Sequence, residues 1–275
     1  CQRRRLFYLN WPDDYYCIRG HKKVLLMEQK KVPWNGWVAL IYGVVLFFVA
    51  QINGGLAAAM YGVLQGWSAQ KTTDWLQSAV AGQFAYILIA EVLTVAGIFA
   101  FIRFYKQPLN IIGFKRPRWD DLFAGLMGFP IYFVLFAIML AIASQVFPGL
   151  DVNQEQQIGF KDVAGTWPLI MTFISLVILP PLTEEILLRG FLYTSLRKYF
   201  KFGLAALIVS AIFAAAHLPE GGDAGPLWVG AIDTFMLSLV LCYVREKTGS
   251  LWGGIVIHAL KNCLAFILLF IIQGR

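Results

Sequence analysis

The stretch TEEILLRGF (Thr183–Phe191) places two adjacent carboxylates, Glu184 and Glu185, and the base Arg189 directly behind a long apolar run, GTWPLIMTFISLVILPP, residues 165–181. If that run crosses a membrane, the charges sit at a depth where ionisable groups are costly and are kept for pairing or for function. The fold class therefore turns on whether the run is a membrane span. Of the 275 residues, 59% are hydrophobic and only 14% charged. An ordinary soluble domain has about 45–50% and about 25%. The mean hydropathy of +0.65 points the same way.

Length and apolarity divide the chain into seven membrane segments, over 37–65, 81–102, 122–147, 167–183, 203–218, 226–244 and 251–272, each near the length a bilayer requires. The fourth is expected to continue as helix past Glu184 to Tyr199, with a bend at Pro180–Pro181, because proline removes a backbone donor. The first carries QINGG (Gln51–Gly55) at its middle, which predicts a tilt, a kink or a buried face. The expected fold is all-α, a polytopic transmembrane bundle of about seven to eight membrane helices with a catalytic cavity within the bilayer. Three parts follow: a basic cytoplasmic head over 1–36, N-terminal transmembrane helices and loops over 37–164, and a catalytic helical core over 165–275.

The net charge is +7. The basic residues lie in the head (Arg3, Arg4, Arg5, Arg19, Lys22, Lys23, Lys30, Lys31) and in alternate loops: Arg103, Lys106, Lys115, Arg116 and Arg118; then Arg197, Lys198 and Lys201; then Arg245 and Lys247. The loops between are poor in them. This pattern reads as topology rather than nucleic-acid binding, with a cytoplasmic N-terminus and an outside C-terminus. The expected location is integral to the plasma membrane of a prokaryote. Tryptophans at the segment ends, from Trp34 and Trp37 to Trp228 and Trp252, suit an interfacial belt. Four scattered cysteines make no disulfide framework, and Cys17 with His21 lacks the partners of a metal site.

Three polar clusters remain inside the apolar segments: Glu184, Glu185 and Arg189; His217, in FAAAH; and His258 with Asn262, in HALKN. If the fourth and fifth segments form an antiparallel hairpin turning at Lys201, Glu184 and His217 lie at matching depths, about 22 and about 21 Å from the turn. Glu185 and Arg189 are four residues apart and share a helix face, as do Phe213 and His217, and His258 and Asn262. A carboxylate beside a histidine is a general base for water. A histidine and an amide on one face are donors for an oxyanion. Together they suffice to hydrolyse an amide without a serine nucleophile. Neither an HExxH helix nor a GxSxG elbow is present. Zinc stays open, because Glu184, His217 and His258 would make a His₂Glu set with a free position. Each cluster also has a plainer reading: a structural ion pair for Glu185–Arg189, an interface residue for His217, interhelical hydrogen bonds for His258–Asn262, or a transport relay, although no repeat halves of the kind many transporters carry are present.

These motifs resemble the CPBP (Abi, or CAAX-protease-like) family of intramembrane endopeptidases, which includes the type II CAAX prenyl proteases. The family pattern EExxxR, FxxxH, HxxxN reads here as EEILLR (Glu184–Arg189), FAAAH (Phe213–His217) and HALKN (His258–Asn262). GSLWGGIVIH, ending at His258, resembles the lead-in to the last motif, and IIGFKRP (Ile111–Pro117) the basic connector upstream. The resemblance implies peptide-bond cleavage within or near the bilayer. Glu184 with His217 would activate water, His258 and Asn262 would stabilise the oxyanion, and Glu185 and Arg189 would support the site or position the substrate. It also implies either a metalloprotease or a metal-independent glutamate mechanism. The latter is expected, since Asn262 suits an oxyanion better than a zinc ion, so no cofactor is required and zinc is the alternative. The partners implied are membrane lipids and a membrane-anchored or lipidated protein or peptide. The competing reading is a non-enzymatic immunity or binding protein on the same scaffold.

Overall fold

The computed structural model describes residues 32–160 and 163–273. The basic head up to residue 31, with Cys17 and His21, lies outside them. Eight helices follow in order: α1 (Gly36–Leu64), α2 (Ala69–Ser78), α3 (Val80–Phe104), α4 (Trp119–Val146), α5 (Thr166–Leu196), α6 (Phe202–His217), α7 (Trp228–Thr248) and α8 (Trp252–Ile272). All but α2 are long and apolar enough to cross a membrane, making seven spans among the described residues, with α6 running on through a 3₁₀ turn to Ala224. The chain is an integral membrane protein. Its outer faces are apolar, with Phe48, Leu56, Phe123 and Val134 more than half exposed, as a lipid-facing surface requires.

Small residues set the helix spacing. The buried stripe of α1 consists of Gly36, Ala39, Gly43, Ala50, Gly54, Ala58 and Gly62, and it packs mainly on α3. Such stripes let backbones approach where lipid offers no hydrophobic drive. QINGG thus serves to bury a face: Gly54 lies against Ala90, and Gln51 accepts a hydrogen bond from Tyr86 on α3. Gly125 and Gly128 of α4 receive Val256 and Ile257 of α8 in the same way. The short α2, which hydropathy alone does not reveal, is capped by Ser68 and packs Trp75 against Tyr61 and Trp67.

The core gathers around the second half of α5. Every residue from Glu185 to Leu192 is buried. Trp34, at the start of the described chain, is not an interfacial residue. It is 1% exposed and donates from Nε1 to Ser195 Oγ at 2.7 Å. The IIGFKRP connector docks on the start of α8: Leu251 N donates to Gly113 O at 3.1 Å and Trp252 Nε1 to Lys115 O at 2.6 Å. Gly113 has φ +84°, and a Cβ there would lie 2.6 Å from the Arg245 guanidinium carbon. Both the backbone and the close contact call for glycine.

Candidate active site

The bend expected in α5 has a consequence that ties two motifs together. Ile174–Ile178 winds as a π-helical turn immediately before Pro180 and Pro181. The carbonyl of Leu176 would accept from residue 180 in an α-helix or from residue 181 in a π-helix. Both are prolines without an N–H, and a carbonyl orphaned inside a membrane protein must be satisfied elsewhere. Asn262 Nδ2 of α8 donates to it at 2.8 Å. The side chain expected at an oxyanion therefore spends one amide proton holding α8 against α5. Two consecutive prolines in an apolar run were the signal for such an orphan.

A second π segment, Glu185–Leu192, carries the charges. Glu185 Oε1 accepts from Arg189 Nη1 at 2.8 Å, with both side chains 0% exposed. The Arg189 guanidinium also lies 4.7 Å from the centre of the Phe213 ring on α6, a cation–π contact. Gly254 of α8 makes room for this pair, since a Cβ there would stand 2.7 Å from Glu185 Oε2. This gives the GG of the α8 lead-in its physical reason. Gly254→Ala is expected to destabilise the protein by about 1–3 kcal/mol through overpacking, seen as a lowered unfolding midpoint in detergent. An unchanged midpoint would mean that the Glu185 carboxylate can move aside freely.

His258 lies between the two carboxylates. Its Nδ1 is 3.5 Å from Glu185 Oε1 and its Nε2 is 3.6 Å from Glu184 Oε2. These are close electrostatic contacts, longer than ideal hydrogen bonds. The Glu184 side chain is 24% exposed, against 0% for Glu185, and the buried Oε2 of each has no hydrogen-bond partner in the protein. Phe213 sets its ring edge-on to both histidines, 4.6 Å from His217 and 5.8 Å from His258. His217 Nδ1 faces the Phe213 carbonyl at 2.8 Å. A carbonyl only accepts, so Nδ1 carries the hydrogen and Nε2 of the neutral ring holds the lone pair. That nitrogen is 3.9 Å from Glu220 Oε1.

The structure thus gathers Glu184, Glu185, Arg189, Phe213 and His258 in one cluster. His217 joins through the Phe213 ring, and Asn262 stands one helical turn from His258 on the Leu176 carbonyl. The sequence reading paired Glu184 with His217; the imidazole paired with Glu184 is that of His258. Hairpin geometry gives depth but not rotation about the helix axis, and α8 packs directly on the proline-bent part of α5.

Residues the motifs did not point to complete the surroundings. Glu91 of α3 faces Thr183 and Glu184. Glu220 follows α6 and accepts from Gln156 Nε2 at 2.7 Å. Lys261 Nζ on α8 is 3.2 Å from Asp233 Oδ2 on α7, whose Oδ1 accepts from Tyr132 of α4. Glu91, Asp233 and Lys261 each interrupt an apolar segment, which was the available signal. A shallow cavity of about 420 Å³, lined by Leu218, Pro219, Gly222, Gly225 and Pro226, lies on the turn that carries Glu220. The zinc candidates Glu184, His217 and His258 do not converge as ligands. Among the described residues no three His, Cys, Asp or Glu side chains form a group that could hold a metal ion.

Residues 166–264 match the family model described as type II CAAX prenyl endopeptidase Rce1-like. The UPF0177 protein YxdF of Lactococcus lactis subsp. lactis is 24% identical over 159 residues, covering 58% of this chain and 80% of that protein. No solved structure matches. The matched region begins with α5 and ends two residues beyond Asn262, so it holds all three motifs. Over this stretch the chain is similar to the Rce1-like type II CAAX prenyl endopeptidases.

Proposed function

We propose that this protein is an intramembrane endopeptidase that hydrolyses a peptide bond in a membrane-anchored or lipidated protein or peptide. The observation that carries the reading is the contrast between its two adjacent glutamates. Glu185 is sealed and neutralised by Arg189, whereas Glu184 is partly exposed and has the His258 imidazole 3.6 Å away rather than a cation paired to it. A structural pair would need only the first. A free carboxylate at membrane depth beside an imidazole is what activation of water requires.

In this mechanism Glu184 takes a proton from water as the water oxygen bonds to the scissile carbonyl carbon. The carbonyl π electrons move onto oxygen. His258 fixes the Glu184 carboxylate, and the Nε2 lone pair of His217 provides a second acceptor for the water. The amide proton of Asn262 not used on Leu176 donates to the oxyanion. Collapse breaks the C–N bond, and Glu184 returns its proton to the leaving nitrogen. Glu185 and Arg189 do not touch the substrate; they hold the π segment that directly follows Glu184. The basic alternate loops favour a cytoplasmic N-terminus and an outside C-terminus, and the proposed location is the plasma membrane of a prokaryote.

The test is release of a defined peptide from a panel of prenylated and unmodified membrane-anchored substrates in proteoliposomes, with and without a chelator. Cleavage that survives chelation is expected. Cleavage abolished by the chelator and restored by zinc would instead make the reaction zinc-dependent and overturn the metal-free mechanism. No cleavage across the panel would favour a non-enzymatic binding or immunity protein.

A further inference from the structure

The oxyanion in this mechanism is poorly served. His258 is drawn to the two glutamates, and Asn262 gives one of its two amide protons to Leu176 O. The surroundings are also acidic, with Glu91, Glu184, Glu220 and Asp233 close by. A negative charge forming there needs a cation. Arg189 is sealed at 0% exposure, whereas the Lys261 side chain is 20% exposed.

Lys261 follows His258 by three residues, so the two are neighbours on the surface of α8. One carboxylate oxygen of Asp233 lies 3.2 Å from its Nζ, and the other is held by Tyr132, itself 1% exposed. Three helices, α4, α7 and α8, thus fix the position of one ammonium group. It is near enough to act electrostatically on Glu184, Glu220, His217 and His258. An ammonium has three donors, and Asp233 takes one of them. A fixed cation aimed where charge develops costs no reorganisation at the moment of reaction.

We infer that Lys261 is a further catalytic residue, whose ammonium donates a charge-assisted hydrogen bond to the oxyanion of the tetrahedral intermediate, with Asp233 and Tyr132 as its positioning residues. The inference rests on the peptidase reading. Lys261 gives up no proton in the cycle: it stabilises the oxyanion, and the leaving nitrogen receives its proton from Glu184.

The plainer role for Lys261 is to balance the charge of Asp233, and the experiment separates the two. Lys261→Met alone would leave a carboxylate unpaired, so the decisive variant is the double Lys261→Met/Asp233→Asn, compared with wild type and with Lys261→Arg. The double variant, eluting as a folded protein, is expected to lose about 10²–10³-fold in kcat with KM nearly unchanged. Lys261→Arg should keep part of the activity. A phosphinic pseudopeptide, whose tetrahedral phosphinyl oxygens imitate the oxyanion, should bind the double variant at least about tenfold more weakly than wild type. Recovery of wild-type kcat in the double variant would show that the lysine only balanced Asp233, and would overturn this inference while leaving the peptidase reading intact. Absence of cleavage by the wild type would overturn both.

Discussion

Glu184→Gln is expected to abolish cleavage while leaving the protein folded. The amide keeps the size and shape of the side chain but cannot take a proton from water, and loss of a positioned general base costs about 10²–10⁴-fold in rate. Little stability should go with it. Glu184 is partly exposed, its Oε2 has no hydrogen-bond partner, and its contact with His258 is 3.6 Å long. Replacing the carboxylate by an amide that fills the same space is expected to change stability by about 1 kcal/mol or less. The measurement is a paired one, peptide release and thermal unfolding on the same preparation. Full activity in a folded Glu184→Gln protein would remove the base from the mechanism and end the peptidase reading in this form.

Arg189→Met is expected to do the opposite and cost stability first. The guanidinium lies in a fully buried ion pair, with Glu185 Oε1 at 2.8 Å and the face of Phe213 behind it. Its removal leaves the Glu185 carboxylate buried with no cation against it. Breaking a buried pair by deleting one partner costs about 3–5 kcal/mol. The double variant Glu185→Leu/Arg189→Met removes both charges and should unfold less readily than Arg189→Met alone. A double-mutant cycle on unfolding free energies in micelles tests this coupling. Additive losses would mean that the two side chains are stabilised independently and that the 2.8 Å contact adds nothing. Activity should fall in all these variants, because the turn from Glu185 to Leu192 directly follows Glu184.

The contrast between neighbours one residue apart shows what could be read in advance. That Glu185 pairs with Arg189 was legible from their spacing, because a helix brings residues four apart together whatever surrounds it. The seven spans were legible for a similar reason: the length and apolarity a bilayer requires are properties of each segment alone. The observed helices begin and end within a few residues of the expected ones. The continuation of the fourth span beyond the glutamates also appears as expected, in α5.

The arrangement of the candidate site was only partly legible. Phe213 and His217 share a face, as expected, and Phe213 touches both histidines. Which imidazole meets Glu184 depends on how each helix is rotated about its own axis. That rotation is set by contacts far apart in sequence, such as Val256 and Ile257 lying on Gly125 and Gly128, and Gly254 making room for Glu185. The link from Asn262 to Leu176 was half legible: two prolines announce an orphan carbonyl, but not which helix will supply the donor. The sequence by itself determined that seven segments among the described residues are long and apolar enough to cross a membrane and that they carry Glu184, Glu185, Arg189, His217 and His258, because hydropathy and helical spacing act locally. Only the tertiary structure decided that His258 rather than His217 lies against Glu184, and that Tyr132, Asp233 and Lys261, from three separate helices, meet. Those contacts join residues whose separation in the chain says nothing about their distance in space.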